Sequence, residues 1–385
     1  MTQNMIADPR PDVLRDATGS AGAPKPFDAY LHRLSSGQNL TYEESFDYTR
    51  AVLSIRCPRR RSAQLGILLN GLMLKRPTVD EAVGALDAVL SLDGLRPAER
   101  PSHPLMGERV IGIAGSGKKG IKTANISTPA ALVAAAAGVR IAKCASAATS
   151  SVAGSADTLR NLGVRLAADP ATGCDLLAEC GVGVFEIEQM VPSFDEKYGG
   201  LFFAPHVLSL ALPALLLPIR TDALLYGIAH PDVALSLDVL RRYHEGDALV
   251  VTSTPDNLHW IDEVGIVGET VLTGILHGQR GRTRRLRMAE ILNVDRHDLD
   301  GLAPGRTQRE QATLMVHALA GRAAPALRDL IAVNAATLIY MSTGQMIEEA
   351  FGLARDVLRC GAGLDKLREL ARLTSGDPSG VEDLL

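Results

Sequence analysis

Apolar residues recur at helical spacing from Phe27 to about Leu95, then in short strand-like runs beyond a proline-marked linker, RPAERPSHP. In the first part, SAQLGILLNGLML (62–74) gathers Leu, Ile and Met on one helical face. Two start signals flank it, Thr41 with Glu44 and Thr78 with Glu81. Each has the spacing of a capping box, in which hydroxyl and carboxylate satisfy the free amides at a helix start. We read this stretch as a small bundle of short helices without strands.

Beyond the linker, RVIGIAG is an apolar run ending in glycine, a strand before a tight turn. TPAALVAAAAG then reads as a helix capped by Thr128, with Pro129 in its first turn and Gly138 as its stop. VRIAK, VGVFEIE and DALVVTS are further strands, GETVLTGILHG is one more β segment, and GSADTLRNLG is a helix. From Thr307 to Thr374 the pattern is helical again. Strands alternating with helices predict an α/β protein: a larger domain with a central, mostly parallel sheet flanked by helices, beside a small all-helical domain. The expected divisions are a leader at 1–26, a helical domain at 27–100 joined by a segment near 190–218, and an α/β domain from 108–189 and 219–385. The leader is polar, rich in Pro, Gly and Asp, and lacks the apolar run of a signal peptide, so it is expected to be disordered.

Composition narrows the class. With 385 residues, 46% hydrophobic and 22% charged, the chain has the make-up of a soluble globular protein. Aromatics are only 4%, so Ala, Leu, Val and Ile must build the core. A net charge of −4 argues against a protein that coats nucleic acid, despite the basic runs Arg56–Arg61 and Arg280–Arg287. Cysteines at 57, 144, 174, 180 and 360 show neither a C-x-x-C pair nor an even count, so no disulfide framework or thiolate metal set is expected, and a reducing cytoplasm fits. The apolar stretch Leu208–Pro218 is too short and proline-broken to span a bilayer.

The candidate chemistry lies in GIAGSGKKGIKTANIST (112–128). Gly112 to Lys118 matches a nucleotide P-loop, but Lys119 stands where that motif needs a magnesium-binding hydroxyl. Nucleotide hydrolysis therefore ranks last. Gly115, Ser116, Gly117 and Gly120 let backbone amides approach an anion, and Lys118, Lys119 and Lys122 add charge. Thr123, Ser127 and Thr128 add hydroxyls at a helix start, whose dipole favours phosphate.

GSGKKGIKTANISTPAALVAAAAGVRIAK resembles the diphosphate-binding region of the anthranilate phosphoribosyltransferase family, with its G-T-G-G-D-G-x-x-T-x-N-x-S-T pattern. SSVAGSADTLRNLGV resembles that family's S-S-x-x-G-S-A-D segment, LFFAPH its F-A-P segment, and the opening and closing helices its helical parts, so the likeness covers nearly everything beyond residue 27. The resemblance implies transfer of a phosphoribosyl group from phosphoribosyl diphosphate with Mg2+, in a homodimer. It implies that Gly115, Ser116, Gly117, Lys118, Lys119 and Gly120 line the diphosphate. Thr123, Asn125, Thr128, Lys143, Ser150 and Ser151 would complete the donor cradle, and Ser127, Asp262 and Glu263 would hold the metal. His206 and Ser146 would stand at the acceptor cleft.

The chain also departs from the family. Lys119 replaces an aspartate, Lys118 a glycine, and KCASA (143–147) the sequence K-H-G-N-R. Leucines fill the region where an arginine should grip the anthranilate carboxylate. The expected acceptor is thus a small aromatic or heterocyclic molecule other than anthranilate, in specialised metabolism. The alternatives are a non-catalytic homologue that binds nucleic acid or another polyanion, or a glycosyltransferase or phosphorylase using a different sugar phosphate. Cys144 reads as a buried hydrophobe rather than a reactive thiol, and Trp260 as a packed ring rather than a stacking platform.

Overall fold

The computed structural model describes residues 27–385 apart from 106, 149–151, 167, 168 and 201. The leader expected at 1–26 lies outside the described residues. Four helices open the fold: α1 Phe27–Ser35, α2 Tyr42–Leu53, α3 Pro58–Lys75 and α4 Val79–Leu90. Both capping boxes form. Thr41 and Thr78 each accept the amide of the glutamate three residues on, and Glu44 and Glu81 return the bond to the threonine amides. Glu81 is wholly buried, and it also accepts from the Leu40 amide at 2.7 Å and from Lys75 Nζ at 2.8 Å. One carboxylate therefore ties the end of α3 and the entry to α2 to the start of α4.

The sheet comprises β1 Val110–Gly115, β2 Arg140–Ala145, β3 Val182–Glu186, β4 Ala223–Gly227, β5 Asp247–Thr254, β6 Glu269–Leu276, β7 Gln279–Arg280 and β8 Arg284–Leu286. Its order is β3-β2-β1-β4-β5-β6-β7, with β8 also on β6. The first five strands run parallel, and β6 to β8 are antiparallel additions. Two sequence expectations change. ALLYG, unassigned from the pattern, is β4 at the centre of the sheet. VGVFEIE leaves the sheet at Glu186, and Ile187–Met190 turns into a short helix.

Alternation decides which face each residue serves. Val110 and Ala114 of β1, Leu224 and Tyr226 of β4, and Val250 of β5 pack with α1–α4 and with the segment at 191–219. Ile111, Ile113, Leu225, Leu249 and Val251 point the other way, onto α5 (Ser127–Ala136) and the C-terminal helices. The opening helices thus share one core with a face of the sheet. Among the described residues no helix is long and apolar enough to cross a membrane.

Candidate active site

The chain switches direction across the sheet at β1 and β4, where ligand crevices form beyond the carboxyl ends of parallel strands. A cleft opens there, lined by Gly115, Gly117, Lys119, Lys122, Thr123, Asn125, Ser127, Lys143, Ser146, Asp262 and Glu263. The loop after β1, the start of α5, the end of β2 and the loop after β5 therefore converge, as the resemblance implied.

The glycine turn is held from behind. Ser116 N–H donates to Gly227 O at 2.9 Å, and Gly120 N–H to Trp260 O at 2.8 Å. Gly117, at φ +68°, donates its N–H to Asp262 Oδ2 at 2.7 Å. These three amides are spent inside the protein. Used in this way they do not point a free N–H at a phosphate, contrary to expectation: Ser116 docks the turn onto the end of β4, and Gly117 and Gly120 dock it onto the loop of Asp262. Gly227 has to be glycine here, because a Cβ would sit 1.8 Å from Asp262 O.

Lys143 is the central cation. It is 2% exposed, and its Nζ donates to Ser127 Oγ at 3.1 Å and to Cys144 O at 2.9 Å. Both acceptors are neutral, and among the described residues no carboxylate is within ion-pair reach. Burial lowers its pKa to about 8 despite the Asp262 and Glu263 charges farther off. A buried ammonium without a counterion is favourable ground for an anion.

Lys119 does not face outward with it. Its ammonium donates to Glu263 Oε1 and, at 2.9 Å, to Thr123 Oγ1, and it lies 3.8 Å from Asp262 Oδ1. Burial alone would depress this ammonium, but Glu263 and Asp262 outweigh burial and hold its pKa above the usual lysine value. Both acids are 6% exposed. Asn334, from a helix at Pro325–Thr343, clamps their loop through Val264 N and O at 3.1 and 2.9 Å. Nothing in the sequence marked Asn334 for this role.

Beside the cleft lies a more apolar room lined by Lys118, Ser146, Glu188, Phe194, Tyr198, His206 and Leu212. Gly115, Gly117 and Ser146 line both spaces. His206 Nε2 pairs with Tyr198 Oη at 2.7 Å, while Nδ1 is buried without a partner. Burial, with Lys118 nearby, lowers the His206 pKa to about 3, so the ring is neutral at physiological pH. Burial also lowers Lys118 to about 8, and its ammonium stands 5.8 Å from the Tyr198 ring centre. Glu188, absent from the sequence expectations, accepts the Ala147 amide on Oε1 at 3.0 Å and leaves Oε2 buried without a partner. Its pKa rises to about 7, chiefly through burial.

The remaining expected residues fall as follows. Thr128 sits in the first turn of α5 rather than at its cap, and its hydroxyl is buried and unpartnered. Asn125 Oδ1 takes the Thr128 amide instead, at 3.4 Å. Ser150 and Ser151 lie outside the described residues. In the G-S-A-D segment, Asp157 Oδ2 accepts the Gly154 and Ala148 amides at 2.9 and 2.7 Å. The Cys144 thiol is buried, and burial pushes its pKa up to about 12, as suits an inert side chain. In the basic run 280–287, Arg280 pairs with Asp238, and Arg285 and Arg287 with Glu269.

The chain is similar to known proteins in sequence and in fold. Residues 107–364 match the family described as glycosyl transferase family, a/b domain. Anthranilate phosphoribosyltransferase of Haloarcula marismortui is 30% identical over 348 residues, covering 89% of this chain and 98% of its own. That of Thermomicrobium roseum is 29% identical over 353 residues, covering 90% and 96%. The crystal structure of the Thermus thermophilus enzyme superposes with a TM-score of 0.71 at 28% identity, over 90% of this chain and 99% of that one. The Saccharomyces cerevisiae enzyme in complex with PRPP and Mg shares the fold, with a TM-score of 0.73 at 20% identity over 91% and 98%.

Proposed function

The chain belongs to the glycosyl transferase family that includes the anthranilate phosphoribosyltransferases, and on that premise we propose that it moves a phosphoribosyl group from phosphoribosyl diphosphate to a small aromatic or heterocyclic acceptor. Lys143 carries this reading, because its buried ammonium lacks a carboxylate and faces a cleft rich in further cations and hydroxyls. In the reaction, the acceptor nitrogen bonds to the anomeric carbon as the bond from that carbon to the diphosphate oxygen breaks, and the electron pair leaves with the diphosphate. Lys143, Lys122, Thr123 and Ser127 hold the leaving group, whose charge grows in the transition state. Magnesium riding on the diphosphate, as the donor and metal occur together in the yeast enzyme, supplies further charge when bound. Ser127 and Asn125 on the cleft wall would hold it, with Ser127 Oγ giving up its bond from Lys143.

The acceptor occupies the apolar room, between Phe194, Tyr198 and Leu212, with His206 Nδ1 free to bond it. We infer that it is not anthranilate. Leucines stand where the family's arginine grips the anthranilate carboxylate, and although Lys118 lines the room, the Glu188 carboxylate in it opposes a second acid on the ring. A neutral nitrogen heterocycle suits it better. Isothermal titration should detect micromolar binding of phosphoribosyl diphosphate with magnesium, and an absence of binding at that level would remove the transferase reading. Ribose 1-phosphate in the same panel tests a phosphorylase. Turnover of anthranilate as efficient as that of any heterocycle would discard the acceptor inference.

Glu188 takes the proton that the acceptor nitrogen sheds. Its folded pKa of about 7 exceeds the ordinary 4.5. The base form therefore grows as pH rises through 7, and activity should rise with it. Stability runs the other way: this group favours the fold below 4.5 and loses that contribution by 7. Glu188→Gln should abolish the acidic limb of the kcat/KM profile and cost about a hundredfold above pH 7. An unchanged limb would discharge Glu188 from the role.

A further inference from the structure

The acidic pair across the cleft is the position at which the family resemblance calls for a divalent metal. An ammonium has three N–H donors. That of Lys119 meets three oxygens: Glu263 Oε1, Thr123 Oγ1 at 2.9 Å and Asp262 Oδ1 at 3.8 Å. Its side chain is only 15% exposed, and both carboxylates are more deeply buried. Asp262 Oδ2 is committed to Gly117 N–H at 2.7 Å and Ser116 Oγ at 3.4 Å. That leaves Asp262 Oδ1 and Glu263 Oε2 without hydrogen bonds. Magnesium is commonly held by one or two carboxylates together with waters and phosphate, so the obstacle here is the ammonium already seated between the two acids. Among the described residues no group of three or more His, Cys, Asp or Glu side chains could hold a metal. A divalent ion on those oxygens would also face the Lys119 charge at close range. The pair does not fit the ion.

We propose that the ammonium of Lys119 replaces the protein-held divalent metal at Asp262–Glu263, so that the acidity of this wall of the cleft is partly offset by the chain itself. The loop fixes the lysine there. Gly117 and Gly120 are pinned to the facing loop on either side of it, at 2.7 and 2.8 Å, and from there the Lys119 side chain reaches the acid pair and Thr123. Lys119 is thus a positioning and charge-balancing residue. Its effect on the donor rests on the transferase reading: only one metal, the ion carried by the diphosphate, would enter with it.

Manganese counted by electron paramagnetic resonance tests this without measuring turnover. Without donor, the wild-type protein should bind no manganese at the acid pair. Lys119→Asp and Lys119→Gln should gain one site, at least about tenfold tighter in the aspartate variant, which adds a third carboxylate. With phosphoribosyl diphosphate, wild type should hold one ion and Lys119→Asp two. Should either variant fold poorly, magnesium should raise its thermal midpoint while leaving the wild type unmoved. Manganese bound by the wild type without donor, and lost in Asp262→Asn, would overturn the proposal. If no protein binds the donor, the transferase reading falls, and the donor-free titration still judges Lys119.

Discussion

Lys143→Met is expected to lower kcat/KM for phosphoribosyl transfer by about a thousandfold, the scale of losing a preorganised charge aimed at a developing anion in a dry site. Methionine keeps the length and apolar character of the stem, so the core around β2 has no cavity to absorb. What disappears is an ammonium that is 2% exposed and satisfied only by a hydroxyl and a carbonyl. Lys119 is engaged by Glu263 and Lys118 lines the adjoining room, which leaves Lys122, less deeply buried, as the remaining lysine among the residues lining the cleft. Lys143→Arg should recover little, since a planar guanidinium does not reproduce the compact charge of an ammonium. Steady-state kinetics, with circular dichroism to establish folding, measures the effect. A loss below about tenfold in a folded Lys143→Met protein would mean that the leaving group is held elsewhere.

Glu81→Ala should cost about 3–5 kcal/mol of stability, the cost of leaving one member of a buried ion pair alone. Lys75 is 5% exposed at its side chain and loses the one carboxylate that pairs with it among the described residues, while the Leu40 and Thr78 amides lose the acceptors they reach at 2.7 Å. The double variant Lys75→Met, Glu81→Ala should regain part of the loss, because an apolar stem needs no partner. Urea unfolding reads this as a lower midpoint for the single variant and a partly restored one for the double. A midpoint within error of wild type would show that the carboxylate ties nothing together. Activity per folded molecule should remain, since α2 to α4 do not line the cleft.

Sequence periodicity revealed most of the fold because most elements carry local signals. The capping boxes at Thr41 and Thr78, the proline and glycine around α5, and the amphipathic C-terminal helices each announce themselves within a few residues. β4 does not. Its five residues are all buried, so no polar alternation separates it from a helix turn, and only its neighbours β1 and β5 make it a strand. The site divides in the same way. The order of motifs brought Thr123, Ser127, Lys143, Asp262 and Glu263 to one cleft. The contacts that set their roles are long-range and leave no spacing to read: Lys119 lies 144 positions from Glu263, and Asn334 is 70 from Val264. Glu188 was hidden because its run looked like the end of a strand, whereas the chain turns at Glu186 and swings the carboxylate toward the acceptor room.

A cradle made of peptide N–H groups is indifferent to mutation, since every residue type but proline offers the same donor. Here the Ser116, Gly117 and Gly120 donors are used in docking the turn, which leaves more of the recognition to side chains, and single substitutions can rewrite those. The scaffold can therefore exchange one phosphorylated sugar for another by altering Lys122, Thr123 or Asn125 while the turn beneath keeps its shape, and new donor specificities should be within reach of a few point changes.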